Sequence, residues 1–248
     1  MTTSRRRTRR TRASLATAAL LAAVAAPAGA QTVYYGQNDL GTANAAVTTA
    51  RSDFLAALTG VGTETFEGIP TGTGAPLALT FPGAGTATVT GTGRVATGNS
   101  SGAAPVSGSR YYLVTTGSGS EFTITFTDPI AAFGFYGRDL GDSGSNLLLR
   151  LTRVSGSIID VQVPYDYRTD PLASGNLLFF GLIDAANPFT SVQFRSTGSG
   201  DVFGFDDMTI GTAGQVTSTV PEPSTYALLG TGLAVLGAVG RRRRRPAM

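Results

Sequence analysis

Between residues 63 and 210 the chain alternates. Phe122, Ile124 and Phe126 are interleaved with Thr123, Thr125 and Thr127, so an extended segment here has one apolar and one hydroxylic side. Similar short runs recur at Thr63–Phe66, Leu77–Phe81, Thr86–Thr90, Tyr111–Thr115, Glu121–Phe126, Ala131–Tyr136, Leu147–Val154, Ile158–Val163, Leu177–Leu182, Ser191–Arg195 and Phe203–Ile210. Gly, Asp, Ser and Asn separate them. Ahead of them Gln31–Gly36 reads as a short strand, and Asn44–Leu58 carries Ala, Val and Leu at helical spacing with Phe54 and Leu58 four apart. The pattern predicts a mainly β fold with one short N-terminal helix. Strands this short and regular form an antiparallel β-sandwich of jelly-roll type, each sheet burying one face on the other. Gly91–Gly108 has no apolar period and reads as a mobile loop, and Thr212–Thr219 as a polar linker.

Both ends follow different rules. Six arginines lie within the first twelve residues, ahead of the apolar run Leu15–Ala26 and the small-residue site Ala28-Gly29-Ala30. A basic region, an apolar region and an A-x-A site in that order read as a secretory signal peptide cleaved before Gln31. At the other end Ser224–Gly240 is uncharged and mostly apolar, and Arg241–Arg245 follow directly. That segment is at the lower limit for a transmembrane helix, and its arginines keep their flank cytoplasmic, which leaves the body outside. The plan is therefore residues 1–30 as signal peptide, 31–211 as sandwich, 212–219 as linker and 220–248 as an anchoring tail.

Removing the tails reverses the charge. The whole chain has 19 basic residues, 16 acids and a net charge of +3, but eleven of its arginines sit in the two targeting segments. Residues 31–219 keep eight arginines against fifteen carboxylates, a net charge of −7. A nucleic-acid partner is excluded on that balance, since phosphate backbones need a basic surface. With no Cys there is no disulfide framework, although export would permit one.

Composition also removes chemistry. His and Cys are absent, and every basic residue is Arg, so there is no Ser-His-Asp triad, thiol nucleophile, Schiff-base lysine or His/Cys zinc site. Gly91-Thr92-Gly93-Arg94-Val95-Ala96 fits a dinucleotide-loop spacing but runs into Thr97-Gly98-Asn99-Ser100-Ser101, a poor helix start, and reads as a hairpin. Carboxylate chemistry and oxygen-ligated metals remain.

Acids gather in two places. Asp139 and Asp142, with Ser143, Ser145 and Asn146 on a Gly-containing turn, suit either a hard cation such as Ca2+ or plain solvation. In Phe203–Ile210, strict alternation puts Asp206 on one face with Met208 and Ile210, and Asp207 on the other with Phe203 and Phe205. One of the two would then point at apolar neighbours and need an Arg, backbone donors or a metal, unless both reach water at a strand end. Glu67, beside Phe66, is a companion for either.

Two stretches resemble known families. Thr65-Phe66-Glu67-Gly68 and Phe205-Asp206-Asp207-Met208-Thr209-Ile210 resemble the jelly-roll carbohydrate-binding modules, in which an early acid and a final-strand Asp hold a structural calcium ion. The resemblance implies Glu67, Asp206 and Asp207 as metal ligands, with Asp139 and Asp142 as further candidates. Those modules stack sugars on aromatic side chains; with no Trp here, Tyr111, Tyr112, Tyr136, Tyr165 and Tyr167 are the candidates. Val220-Pro221-Glu222-Pro223-Ser224, the apolar stretch and five arginines resemble the PEP-CTERM sorting signal. That resemblance implies Val220, Pro221, Glu222 and Pro223 as the motif read by an exosortase, a membrane-embedded cysteine protease, after passage through the export machinery. It also implies an inner-membrane intermediate and then the cell surface or matrix of a Gram-negative, exopolysaccharide-producing bacterium. Pro221 and Pro223 would hold an extended peptide just outside the membrane.

These features favour a non-enzymatic surface or matrix protein that binds extracellular polysaccharide. A glycoside-active enzyme would need two of Glu67, Glu121, Asp139 and Asp142 facing each other at roughly 5 to 10 Å. A structural adhesion or matrix subunit would need no ligand.

Overall fold

The computed structural model describes residues 31–141, 146–164, 175–217 and 230–233. The elements among them, in order, are β1 (Thr32–Asn38), α1 (Ala45–Ala56), β2 (Thr63–Glu64), β3 (Leu77–Phe81), β4 (Gly85–Gly91), β5 (Arg94–Thr97), β6 (Arg110–Ile130), β7 (Ala132–Arg138), β8 (Leu147–Arg153), β9 (Ile158–Gln162), β10 (Leu177–Ile183) and β11 (Phe189–Gly211). The fold is mainly β, antiparallel and sandwich-like, with one short helix.

Two strands are far longer than the pattern predicted. Tyr111–Thr115 and Glu121–Phe126 are two parts of β6, and Ser191–Arg195 and Phe203–Ile210 are two parts of β11. Both long strands run from one layer of the sandwich into the other. In the first layer β1, β10 and β7 lead to the C-terminal part of β11, which pairs with the start of β6, and β5 lies beyond. In the second layer β3 and β4 lead to the later part of β6, the start of β11, and then β8 and β9. Where β6 no longer accompanies β11, β2 pairs with Met208 and Thr209 instead.

Alternating apolar residues of both layers meet between them. Phe122 and Phe194 stack with centroids 4.2 Å apart, and Phe205 of the first layer meets them edge-on at 5.3 and 4.9 Å. Such aromatic pairs add about 0.5–1.5 kcal/mol each beyond their area burial.

β7 and β10 are buried on both faces because α1 covers the outer one. Asn44 caps the helix, its side chain accepting from the Val47 N–H at 3.0 Å, and Val47, Ala50 and Phe54 form the buried stripe. Gly181 and Gly134 are paired across β10 and β7, and the Phe54 ring occupies the space their side chains would take. Burying a ring of this size contributes about 1.5–3 kcal/mol.

Two expectations change. Gly91–Gly108 is not a bare loop: it contains β5, paired with β6, and its last residues are held by carboxylates described below. Thr212–Thr217 is not a free linker. Val216 bridges to Leu58, the Thr217 N–H donates to Ala57 O at 2.8 Å, and Gln215 donates to the carbonyls of Gly60 and Gly83 at 3.0 Å. The predicted transmembrane helix over 224–240 lies largely outside the described residues. Only residues 230–233 are seen, as helix, and no helix among the described residues is long and apolar enough to cross a membrane.

Candidate functional site

The acids of β11 do not follow strict alternation. Phe203, Phe205, Met208 and Ile210 all face the inter-layer core, which two residues between Phe205 and Met208 would forbid in a regular strand. Asp207 resolves this: its φ of 48° lies in the left-handed region, which Asp tolerates, and the register against β7 shifts between Asp206 and Thr209. The bulge sends both carboxylates to the α1 side, so neither points into the apolar core.

There they are covered. Asp206, 1% exposed, accepts from the backbone N–H groups of Val106 at 2.8 Å, Ser107 at 3.0 Å and Asp207 at 2.8 Å. Burial, reinforced by the neighbouring Asp207 charge and opposed by those amide donors, pushes its carboxyl up to about 7. Asp207 accepts from Ser107 Oγ at 2.6 Å and faces Arg51 Nη2 at 3.6 Å. Arg51 also lies over the Tyr136 ring, 5.6 Å from its centroid. Arg51 was not anticipated, because nothing in the sequence ties a helix residue to a strand bulge.

Glu67 holds the same loop from its other side. Its carboxylate accepts from the N–H groups of Ser109 at 2.7 Å and Arg110 at 2.6 Å and from Ser109 Oγ at 3.0 Å, and these bonds hold it below the usual carboxylate range. Arg110 also donates to the Glu67 carbonyl. Asp139, with φ of 63°, accepts from the Gly175 N–H at 2.5 Å and lies against Gly102. Of the expected calcium ligands, Glu67, Asp139, Asp206 and Asp207 engage amide, hydroxyl or guanidinium groups, and no group of three acids suited to a metal forms among the described residues. Asp142 lies outside those residues, as do Ala28, Ala30 and Val220, Pro221, Glu222 and Pro223; Gln31 is the first described residue and is exposed.

Of the acids considered for catalysis, Asp142 lies outside the described residues, and the other three are each engaged with backbone donors. Glu121 is buried, both its oxygens 3.1 Å from the Gly117 N–H, and burial raises its carboxyl. Glu67 and Asp139 serve the backbone as described.

Tyr111, Tyr112 and Tyr136 are core residues, each 7% exposed or less. Burial pushes Tyr112 up to about 12, and its hydroxyl donates to Thr92 O at 2.7 Å. Tyr165 and Tyr167 lie outside the described residues. Among the described residues the tyrosines that are only partly buried are Tyr34 and Tyr35, at the sheet edge. Val33, Tyr34 and Tyr35 of β1 and Ala45, Ala46, Thr49, Ala50 and Asp53 of α1 line an open groove of about 550 Å3. Its width follows from α1, whose facing side chains here are small. The Tyr34 ring is fixed edge-on against Phe54 at 5.7 Å. Its hydroxyl titrates above the usual range, through burial first and the Asp53 charge second. The adjacent pair Tyr34-Tyr35 was visible in the sequence, but its position beside Asp53 depends on where the helix packs.

Comparison with known proteins separates tail from body. Residues 219–245 match the PEP-CTERM protein-sorting motif, so this chain carries that signal. The motif marks an exported protein that is membrane-anchored and then displayed at the cell surface. No curated protein matches the chain. Among solved structures, the C-terminal family 22 carbohydrate binding module of Clostridium thermocellum Xyn10B is 14% identical with a TM-score of 0.38, over 65% of this chain and 97% of the module. A xylan-binding domain from CBM 22 is 14% identical with a TM-score of 0.35, over 65% of this chain and 99% of the domain. TmCBM61, solved with beta-1,4-galactotriose, is 15% identical with a TM-score of 0.26, over 51% of this chain and 88% of that one. Scores of this size carry no argument about ligands.

Proposed function

We propose that this is a non-enzymatic surface protein, cleaved by an exosortase-type protease at its sorting motif, whose sandwich binds extracellular polysaccharide. The observation that carries the binding is the groove between β1 and α1. It combines a fixed aromatic ring, Tyr34, with an exposed carboxylate, Asp53, in a cleft of a size suited to small-ligand or polymer segments. The sorting motif supplies the setting, since it marks a protein displayed outside the membrane, where extracellular polysaccharide lies. One acid in the lining gives the groove no second carboxylate for glycoside hydrolysis, which supports binding without turnover.

The test is a glycan array together with a reducing-end turnover assay on the purified full chain. Retention of a polysaccharide without released sugar is the expected result. Released sugar would make it an enzyme, and neither retention nor turnover would leave a structural matrix role.

A further inference from the structure

The groove has one charge. Asp53 is exposed within it, and no basic residue lines it among the described residues. Arg51, two positions earlier on α1, is directed elsewhere, at Asp207 and the Tyr136 ring. Among the described residues Asp53 therefore has no counter-charge in the lining of the groove it shares with Tyr34. Around it the body carries −7.

Such a carboxylate accepts two hydroxyl hydrogen bonds at once, and those bonds are stronger than neutral ones. Adjacent sugar hydroxyls present that pair of donors. The ring of Tyr34, pinned by Phe54, offers an apolar platform whose ordering cost is already met in the free protein. Ala45, Ala46 and Thr49 keep the helix side shallow. An acidic sugar would bring its own carboxylate to Asp53 and find no cation, a like-charge juxtaposition that disfavours binding.

We infer that the groove selects neutral polysaccharide over acidic polysaccharide, with Asp53 reading the hydroxyls and rejecting carboxylates and Tyr34 stacking the ring. This rests on the glycan-binding reading above.

Affinity electrophoresis of the full chain in gels containing a neutral β-glucan, a neutral galactomannan, polygalacturonate or alginate tests it, with light scattering to give the mass in solution. Wild type should be retarded by a neutral polymer and not by either acidic one. Asp53→Asn and the groove-filling Thr49→Leu, both exposed positions that leave the core alone, should each weaken neutral binding about tenfold. Retardation by the acidic polymers as strong as by the neutral ones would overturn the selectivity. Retardation unchanged in both variants would overturn the site while leaving glycan binding intact. No retardation in any gel would bring down the glycan-binding reading and this inference together. A dimer that Thr49→Leu converts to monomer, with retardation unaffected, would assign the groove to a second copy and overturn the inference.

Discussion

The ring of Phe54 lies where a side chain on Gly181 would have to go: a Cβ built there would stand 2.6 Å from Phe54 Cδ2. The contact couples one helix residue to the middle of a strand more than a hundred positions away. Gly181→Ala should destabilise the protein by about 1–3 kcal/mol, the usual cost of overpacking. Gly68→Ala, with open space around it, should stay within about 0.5 kcal/mol. Urea denaturation of the two variants checks this, and equal midpoints would mean that α1 does not pack on β10 as described.

Asp206 sets a pH dependence with a definite sign. Its carboxyl is pushed up to about 7 in the folded protein, above the ordinary 3.8, so the folded state binds a proton more readily than the unfolded one. Its contribution is full below the ordinary value and is lost as pH rises towards 7. Glu67 is shifted downward and works in the opposite sense, its contribution being lost as pH falls. The melting temperature of Asp206→Asn should therefore decline less between pH 4.5 and 7.5 than that of wild type. Parallel pH profiles would show that Asp206 does not titrate in that window.

Glu67 should be the residue that orders the loop before β6. Glu67→Ala removes the acceptor for the Ser109 and Arg110 amides, and hydrogen exchange at those two amides should accelerate while Val89 in β4 keeps its protection. The stability cost should be only about 0.5–1.5 kcal/mol, the net worth of hydrogen bonds at a solvent-accessible site. Unchanged exchange at Ser109 and Arg110 would contradict the clamp.

Calcium would have to displace amides to reach Asp206 or Glu67. Melting in millimolar calcium and in EDTA should accordingly coincide within about 1 °C. A bound ion at about 100 times its Kd would add roughly 2.7 kcal/mol, a shift of several degrees, and such a shift would assign a metal site to this protein.

Much of this architecture could be read from the chain. Leu77–Phe81 is a strand with the predicted bounds, and Asn44 begins the helix where its capping chemistry places it. The acids of β11 were misread for one physical reason. Counting alternate residues assumes that each is extended, and a single left-handed residue at Asp207 shifts the phase of everything after it. The groove was hidden differently. Tyr34 and Asp53 are brought together by the seating of Phe54 on two glycines of other strands, which no local pattern encodes. The three core tyrosines show the same limit, since strand periodicity gives a residue's face but not whether another layer covers it.

The exit of the chain from the sandwich has a mechanical consequence. Among the described residues of the body Thr217 is the last one pinned, and the sorting tail of the membrane-anchored form begins at residue 219. Any drag on the displayed body is therefore transmitted through Val216 into β11. Its end would first have to release the bonds of Gln215, Val216 and Thr217 to residues 57–60 and 83, and after that the pull runs along a 23-residue strand held by β2, β6, β7 and β8 together. Bonds lying across the direction of pull share the load, so the tether ends in the part of the molecule best able to bear tension. Optical-trap extension from the C-terminus should show a small early release followed by a single high-force rupture.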